Sequence, residues 1–221
     1  MNRLRRLIAA CAILSLAPSS VAFAQPRNDP GKFDFYVLAL SWTPSYCEAE
    51  GDRRSGDEQC RRGRPFSFVV HGLWPQYERG FPRSCVEPAP RIANSLINSM
   101  LDIMPARGLV IHQWRTHGTC AGLSPERYFE TVRRAQERIV IPEQFRRLED
   151  YTMVSPAAVE EAFLAANPEL KPDMIAVTCD SRRLREVRIC MSTGLAFRSC
   201  DEIDRRACRI PRVVMPPVRG G

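Results

Sequence analysis

The sequence lacks several features that define large classes of protein. After residue 24, no apolar run approaches the length of a membrane span, which excludes a bundle of transmembrane helices. No segment repeats at a fixed period, which excludes a solenoid or a propeller. No two of the nine cysteines lie two to four residues apart, so a zinc knuckle is excluded as well. What remains is an ordinary domain, large enough to bury its own core.

Residues 1–24 have the pattern of a secretory signal peptide. Three arginines precede an apolar run from residue 7 to residue 16, and small residues end the segment at Ala24. We expect cleavage after Ala24, export to the periplasm or the medium, and no membrane contact in the mature protein. An uncleaved N-terminal anchor is the alternative, but the apolar run is short for one.

The cysteines point to an oxidising compartment. One of the nine lies inside the N-terminal segment, and the remaining eight form an even set, which predicts four disulfide bonds. The spacing alone leaves their pairing open. The eight are Cys47, Cys60, Cys85, Cys120, Cys179, Cys190, Cys200 and Cys208.

The charge of the chain favours an anionic partner. The net charge is +7, and loss of the first 24 residues, which hold three arginines and no acidic residue, lowers it to +4. Most of the basic charge is arginine, whose planar donors suit phosphates. A solvated arginine-rich surface is the alternative.

Patterns along the chain predict a single α+β domain. Strand-like segments come first, several helices follow, and short strands return near the end, an order that favours a mostly antiparallel sheet. Two helices begin with a Ser-Pro pair, which combines an N-cap with a favoured first residue. The expected strands are 33–42, 66–71, 174–178, 186–191 and 195–198, and the expected helices are 90–104, one beginning at Ser124, and one from Ser155 to Asn167.

We place the domain at residues 33–210, between a linker at 25–32 and a tail at 211–221. The tail is rich in proline, arginine and glycine, so we expect it to be flexible. We expect no second domain, and we expect the protein to be a monomer.

Histidine is scarce, and its placement is the strongest indication of function. The sequence holds three histidines, which are His71, His112 and His117. Because imidazole gives and takes protons near neutral pH, two histidines that face one bond form an acid–base pair. A single histidine packed in a core is the ordinary alternative, but three histidines in two short motifs weaken it.

The first motif, VHGLWPQ, runs from Val70 to Gln76. A predicted strand delivers His71 to its end, and Gly72 permits a close backbone approach. Trp74 offers a flat face that suits the stacking of a base, with plain core packing as the alternative.

The second motif, HQWRTHGTC, runs from His112 to Cys120. On a helix, the five-residue step between its histidines is an angle of about 140°, whereas zinc-binding helices use a four-residue step that puts both ligands on one face. A zinc site would need His71 as a third ligand and an open water position. We therefore expect no metal or other cofactor, with a zinc hydrolase as the alternative.

Together, the two motifs resemble the active-site motifs of the ribonuclease T2 family. The segment LALSWTPSYC at 38–47 is similar to the family's opening strand, and the resemblance covers roughly residues 33–208. It implies an α+β fold stapled by disulfides and a metal-independent endoribonuclease acting on RNA. In such an enzyme the ribose 2′-hydroxyl attacks the adjacent phosphate and leaves a 2′,3′-cyclic phosphate, which is later hydrolysed to a 3′-phosphate. DNA lacks this hydroxyl and is not expected to be cut.

The resemblance also implies a role for each histidine. His117 matches the general base, His71 matches the general acid that protonates the leaving 5′-oxygen, and His112 matches the residue that binds the phosphate. The two proton-transfer roles exchange in the hydrolysis step.

Two positions depart from the family pattern. The second motif usually has Glu where this chain has Gln113, and Lys where it has Thr116. Gln113 keeps a hydrogen-bond donor for a phosphoryl oxygen but carries no charge, and Arg115 lies one position before the missing lysine. Loss of one preorganised donor typically costs about 10²–10³ in rate, so we expect an active enzyme with lowered turnover or altered pH dependence. A secreted RNA-binding protein without catalysis is the alternative.

The resemblance extends to the base-binding region and to the disulfides. Trp74 and Gln76 match positions that contact the base, and Tyr77 is a further candidate for stacking. The implied disulfides are Cys47–Cys60, Cys85–Cys120, Cys179–Cys208 and Cys190–Cys200.

Overall fold

A segment rich in aromatic and branched residues forms a central strand of the fold. The computed structural model describes residues 28–50, 58–61 and 63–218, so the predicted signal peptide lies outside the described residues. The strands are β1 Phe35–Trp42, β2 Phe68–Gln76, β3 Thr152–Val154, β4 Ile175–Cys179, β5 Leu184–Met191 and β6 Val213–Met215. The helices are α1 Thr43–Glu50, α2 Asn94–Ser99, α3 Arg107–Thr116, α4 Pro125–Glu137, α5 Glu143–Arg146, α6 Pro156–Ala166 and α7 Asp201–Arg205, with 3₁₀ turns at Glu58–Cys60, Gly118–Ala121 and Pro172–Met174. Within the described ranges, no helix has the length and apolarity that a membrane crossing requires.

Four strands form one antiparallel sheet in the order β2–β1–β5–β4. On β1, Tyr36, Leu38 and Leu40 face the main hydrophobic core, which also contains apolar side chains of α3, α4 and α6. The predicted α+β fold with an antiparallel sheet is therefore confirmed.

The opposite face of this sheet carries a second, smaller hydrophobic cluster around Phe35 and Val37, and beyond it small and charged residues. On β1, Ala39 and Ser41 alternate with the core residues. They pair with Arg188 and Glu186 of β5, respectively. Because the side chains of β1 are small here, there is room above the sheet between β2 and β5.

One extra residue, His71, interrupts the two-residue alternation of side chains along β2. Ala39 pairs with Gly72 but Leu40 pairs with Val70, so His71 has no direct opposite and forms a β-bulge. The core-facing positions change from even-numbered before the bulge to odd-numbered after it. The strand predicted from the apolar run before His71 continues to residue 76, since pairing with β1 resumes beyond the bulge.

Both Ser-Pro helix starts are confirmed. The side chain of Ser124 accepts a hydrogen bond from the backbone N–H of Arg127, and that of Ser155 accepts one from the backbone N–H of Ala158. Asn167 ends α6, as predicted.

The helix predicted over 90–104 is much shorter, because only α2 is helical. Met100 and Met104 are buried as the helical spacing indicated, but they lie in turns. After α2 the chain turns toward β2, where the carbonyl of Ile103 accepts a hydrogen bond of 2.9 Å from the backbone N–H of Val70.

Two predictions near the C-terminus are wrong. The segment 195–198 forms no strand, and a single bridge at Phe197 is its contact with β5. The tail predicted to be flexible from residue 211 contains β6, which pairs with β3 and buries Val213 and Met215. The prolines and arginines around these apolar residues give the segment the composition of a loose tail.

All four disulfides implied by the family resemblance are present. Cys85–Cys120 joins the segment after β2 to the turn after α3, which brings the ends of the two histidine motifs together. Each such crosslink contributes about 2–4 kcal/mol to stability.

Close packing fixes the backbone of the second motif at Gly118. A Cβ atom at Gly118 would lie 2.5 Å from Cε3 of Trp114 and 2.8 Å from Cε1 of Tyr128. Both rings are buried in the core, so neither moves aside freely.

We expect Gly118→Ala to lower the free energy of unfolding by about 1–3 kcal/mol, because the added methyl group overfills the site. Gly108→Ala is the matched control, since Gly108 lies on α3 with nothing within 4 Å of its Cβ position. There alanine favours the helix by about 0.5–1 kcal/mol. Urea unfolding measures both variants, and equal stabilities would contradict the packing argument.

Candidate active site

Two of the three histidines pack against the indole of Trp74. The ring of His71 packs edge-on against it, with 5.2 Å between ring centroids, and the ring of His117 stacks on it at 5.4 Å. His112 lines the same cleft as His71. Strand β2 and the end of helix α3 thus bring the predicted catalytic residues to one place.

His71 extends from the β-bulge toward Glu186 on β5. Its Nδ1 donates a hydrogen bond of 2.5 Å to Oε1 of Glu186. Because an ionised carboxylate only accepts hydrogen bonds, the proton of this bond belongs to Nδ1. The side chain of His71 is 36% exposed, so the ring is accessible to a ligand.

Two residues hold Glu186 as a carboxylate. Its Oε2 accepts hydrogen bonds from Nε and Nη2 of Arg188 at 2.9 and 2.8 Å. Burial by itself raises the pKa of Glu186, but the hydrogen bond from His71 and the charges of His71 and Arg188 lower it to about 2. Glu186 is therefore ionised at neutral and mildly acidic pH.

Helix α3 ends at His117, whose backbone N–H donates to the carbonyl of Gln113 at 2.9 Å. The Nδ1 of His117 is buried and has no hydrogen-bond partner among the described residues. Burial, together with the positive charges of His71, His112 and Arg83, lowers the pKa of His117 to about 3. At neutral pH the imidazole of His117 is uncharged and able to accept a proton.

Arg83 is a cation of the site that lies outside both motifs. The next two residues fasten its segment to the second motif, since the N–H of Ser84 donates to the carbonyl of Thr116 at 2.9 Å and Cys85 is bonded to Cys120. The charge of Arg83 lowers the pKa of His117, and it lowers that of His112 after burial and the charge of His71. The guanidinium is exposed and has no ion pair with a residue in the described ranges.

Gln113 was expected to donate to a phosphoryl oxygen, but the structure shows a different contact. Its side chain is 1% exposed, and its Oε1 accepts a hydrogen bond of 2.8 Å from the indole Nε1 of Trp74. A Cβ atom at Gly72 would lie 2.1 Å from this oxygen and 2.4 Å from the indole nitrogen. The close approach predicted at Gly72 is confirmed, and what it admits is the side chain that orients Trp74.

The other predicted binding residues differ in how available they are. Gln76 is 6% exposed, and its amide N–H donates to the neighbouring carbonyl of Pro75 at 3.0 Å. Thr116 is buried as well, and a substrate contact by Gln76 or Thr116 stays a prediction. Tyr77 is half-buried, and Arg115 is exposed near the end of α3, so a substrate contact by either stays a prediction.

Glu186, Arg188 and Arg83 were absent from the sequence-based predictions. For the first two a signal existed, because two of the three charged residues of a largely buried strand are spaced two residues apart and so lie on one face. For Arg83 the signal was indirect: it lies two residues before Cys85, whose implied partner Cys120 ends the second motif.

A cleft of about 860 Å³ opens beside His71 and His112. Arg107 and Arg185 line it together with the carboxylates of Glu58 and Glu186, so the cleft presents charges of both signs next to the histidines. Throughout the part of the chain that the structure describes, no cluster of three or more His, Cys, Asp or Glu residues is arranged to hold a metal ion.

The lowered pKa of His117 predicts that acid destabilises the fold. Below its ordinary value of 6.5 and down to about 3, the unfolded chain binds a proton at His117 that the folded chain does not. For each unit by which the pH is lowered in this range, this proton therefore decreases the free energy of unfolding by about 1.4 kcal/mol. Glu186 acts in the same direction, since its contribution to stability is present above pH 4.5 and is lost as the pH falls toward 2.

Urea unfolding between pH 7 and pH 3 measures this dependence, and we expect His117→Asn to flatten it above pH 4.5, where Glu186 does not yet contribute. An unchanged slope in this variant would show that His117 is not the group responsible.

Comparison with known proteins agrees with this site. The model of the ribonuclease T2 family matches residues 33–200. A ribonuclease of Aeromonas hydrophila is 41% identical over 109 residues, which are 49% of this chain and 47% of that protein. Ribonuclease I of Escherichia coli K12 is 27% identical over 229 residues, covering 82% of this chain and 84% of that protein. The chain thus spans about half the length of the Aeromonas relative and most of the Escherichia one.

Solved structures share the fold. Trichomaglin, described as an S-like ribonuclease, superposes with a TM-score of 0.67 at 19% identity over 85% of this chain and 99% of its own. RNase NT, solved in complex with 5′-AMP, gives 0.58 at 21% identity over 84% of this chain and 99% of its own. With its two histidine motifs inside the matched residues and its fold shared with these proteins, the chain belongs to the ribonuclease T2 family.

Proposed function

We propose that the protein is an endoribonuclease that cleaves single-stranded RNA without a metal ion. The ribose 2′-hydroxyl attacks the adjacent phosphate, which yields a 2′,3′-cyclic phosphate and then a 3′-phosphate. The observation that carries the proposal is the pair of histidines around Trp74, of which His117 is uncharged and His71 is bonded to a carboxylate. Membership of the ribonuclease T2 family supports it.

His117 is the general base in this proposal. Its lowered pKa keeps it free of a proton at neutral pH, as a base must be before it takes the proton of the 2′-hydroxyl. The same lowered pKa weakens it as a base in the free enzyme. A bound phosphate raises the pKa of His117 again, because its negative charge opposes the cations that lower this pKa.

His71 is the general acid. One ring nitrogen is engaged by Glu186, so the other delivers the proton to the leaving 5′-oxygen. In the hydrolysis step, His71 takes a proton from water and His117 returns one to the 2′-oxygen, which balances the protons over the cycle.

His112 and Arg83 bind the phosphate. Both act electrostatically on His117, so a phosphate within reach of His117 lies within reach of their charges as well. Arg83 supplies the positive charge that the buried Thr116 does not. Cations aimed at the phosphoryl oxygens stabilise the charge that develops in the transition state.

The cleft beside His71 and His112, which Arg107 and Arg185 help to line, holds part of the RNA, and a base contact by Trp74 stays a prediction. RNase NT has the same fold and was solved with 5′-AMP, which supports nucleotide binding. We also propose that the protein works as an exported monomer in the periplasm or the medium, since four disulfides form in an oxidising compartment.

A secreted RNA-binding protein without catalysis is the second candidate. The observation that favours it is the second motif, where Gln113 and Thr116 replace two charged residues of the family and both are buried. The reaction products separate the two candidates.

We expect the mature, oxidised protein to cut single-stranded RNA in excess EDTA and to leave 2′,3′-cyclic phosphate ends. His117→Ala removes the base and should abolish these ends. Product analysis of both proteins makes the measurement. RNA binding without cleavage by the unmodified protein would favour the second candidate, and activity that needs added zinc would contradict the metal-free mechanism.

We expect Arg83→Gln to lower kcat/KM on RNA about tenfold. This is less than the loss of roughly 10²–10³ typical of a buried donor, because Arg83 is exposed and its charge is partly screened. Arg127→Gln, an exposed arginine on α4, is the control and should keep full activity. Arg115→Gln tests the other candidate, and a large loss there with none at Arg83 would transfer the phosphate role to Arg115.

A further inference from the structure

The partner of His71 lies 115 residues away from it in the sequence, outside both histidine motifs. Given the proposed ribonuclease activity, on which this inference rests, we propose that Glu186 is a positioning residue for the general acid. Its carboxylate fixes the orientation of the His71 ring and balances the charge of the protonated ring. Arg188 in turn fixes the carboxylate.

Glu186 is suited to this task because it has one available orientation. Its side chain is 11% exposed, and both carboxylate oxygens are occupied. Oε1 accepts from His71, and Oε2 accepts twice from Arg188. A carboxylate held at both oxygens holds its imidazole partner as well, which preorganises the ring before substrate binds.

A purely structural ion pair explains only part of this arrangement. Arg188 alone already neutralises Glu186, and both residues lie on β5 two positions apart. The bond to His71 crosses from β5 to β2, and it engages a ring that remains open to ligand. A contact that orients an accessible titratable group is typical of catalytic histidines.

The surroundings make the charge of Glu186 necessary. The groups that line the cleft or act on the histidines are Arg185 and Arg188 of β5, Arg107 and His112 of α3, Tyr46 of α1, Glu58 of the following turn, His117 and Arg83. Most of these are cations or histidines, and Glu58 is the one carboxylate among those named. Glu186 is the carboxylate that contacts the ring and offsets them.

Side-chain contacts connect Glu186 to both histidines of the acid–base pair. The guanidinium of Arg188 lies 5.2 Å from the ring centroid of Trp74, and that ring contacts both His71 and His117. Glu186 touches His71 directly, whereas it reaches His117 through two intermediate side chains. Loss of the Glu186 charge should therefore affect protonation of the leaving group more than removal of the 2′-hydroxyl proton.

The test compares two substrates in the oxidised full-length mature protein. Glu186→Gln keeps the shape and an acceptor oxygen but removes the charge. On single-stranded RNA we expect kcat to fall about 10–100-fold with KM little changed, the size of loss seen when a supporting partner of a functional histidine is removed. On a nucleoside 3′-(4-nitrophenyl phosphate), whose nitrophenolate leaves without a proton, we expect almost no loss.

Controls separate this role from a structural one. His117→Ala should slow both substrates, because the base acts on both. Glu160→Gln changes a half-buried carboxylate outside the site, which accepts from the N–H of Val177, and should leave both rates unchanged. Glu186→Asp restores the charge and should recover part of the RNA rate. In the pH profile of kcat/KM, the alkaline limb of Glu186→Gln should move to lower pH.

Nitrogen-15 NMR of the histidines gives a readout that needs no activity. The Nδ1 proton of His71 should appear far downfield in the unmodified protein and shift upfield in Glu186→Gln. Absence of that resonance, or equal slowing of both substrates by Glu186→Gln, would overturn the positioning role. If the unmodified protein bound but did not cut RNA, the proposed function would fail, and the NMR result would still decide whether Glu186 holds His71.

Discussion

A hydrogen bond that passes over the central strand organises the site. His71 on β2 and Glu186 on β5 lie on opposite sides of β1, and they meet because Ala39 and Ser41 between them are small. Larger residues at these positions would fill the space that the two side chains share. The composition of one face of β1 therefore determines whether a histidine and a carboxylate of distant segments come into contact.

Cations outnumber carboxylates around this bond. In the proposed mechanism, the cations that lower the pKa values of His112 and His117 also attract the phosphate, so ligand binding and proton affinity are coupled. In that mechanism Arg83 contributes from a loop and not from the second motif. The departure at Gln113 has a structural role, since its side chain orients Trp74.

Local patterns predicted local structure well. The Ser-Pro helix starts, the central strand and the antiparallel order follow from residue types within short windows, and the resemblance of the two motifs implied the disulfides. Features that depend on distant partners were not predictable in this way. Strand β6 exists because it pairs with β3, about 60 residues earlier. The chain leaves the helical path after Ser99, and the carbonyl of Ile103 then meets a backbone group of β2.

The same distinction holds within the site. The histidines were identified from their motifs, because imidazole chemistry is visible in residue type. The availability of Gln76 and Thr116 depends on burial, which the motif does not reveal. Glu186 required knowledge of which strands flank β1, although its charge on a buried strand was a usable indication.

The bulge at His71 lets β2 hold one additional residue without a change in which of its side chains reach the core. Val70 pairs with Leu40 and Gly72 pairs with Ala39, so the residues on either side of His71 keep the alternation of a regular strand. Deleting His71 would therefore leave Leu73 in the core and Trp74 on the opposite face, and would remove the imidazole alone. The site histidine is an addition to the strand and not a replacement of one of its paired residues.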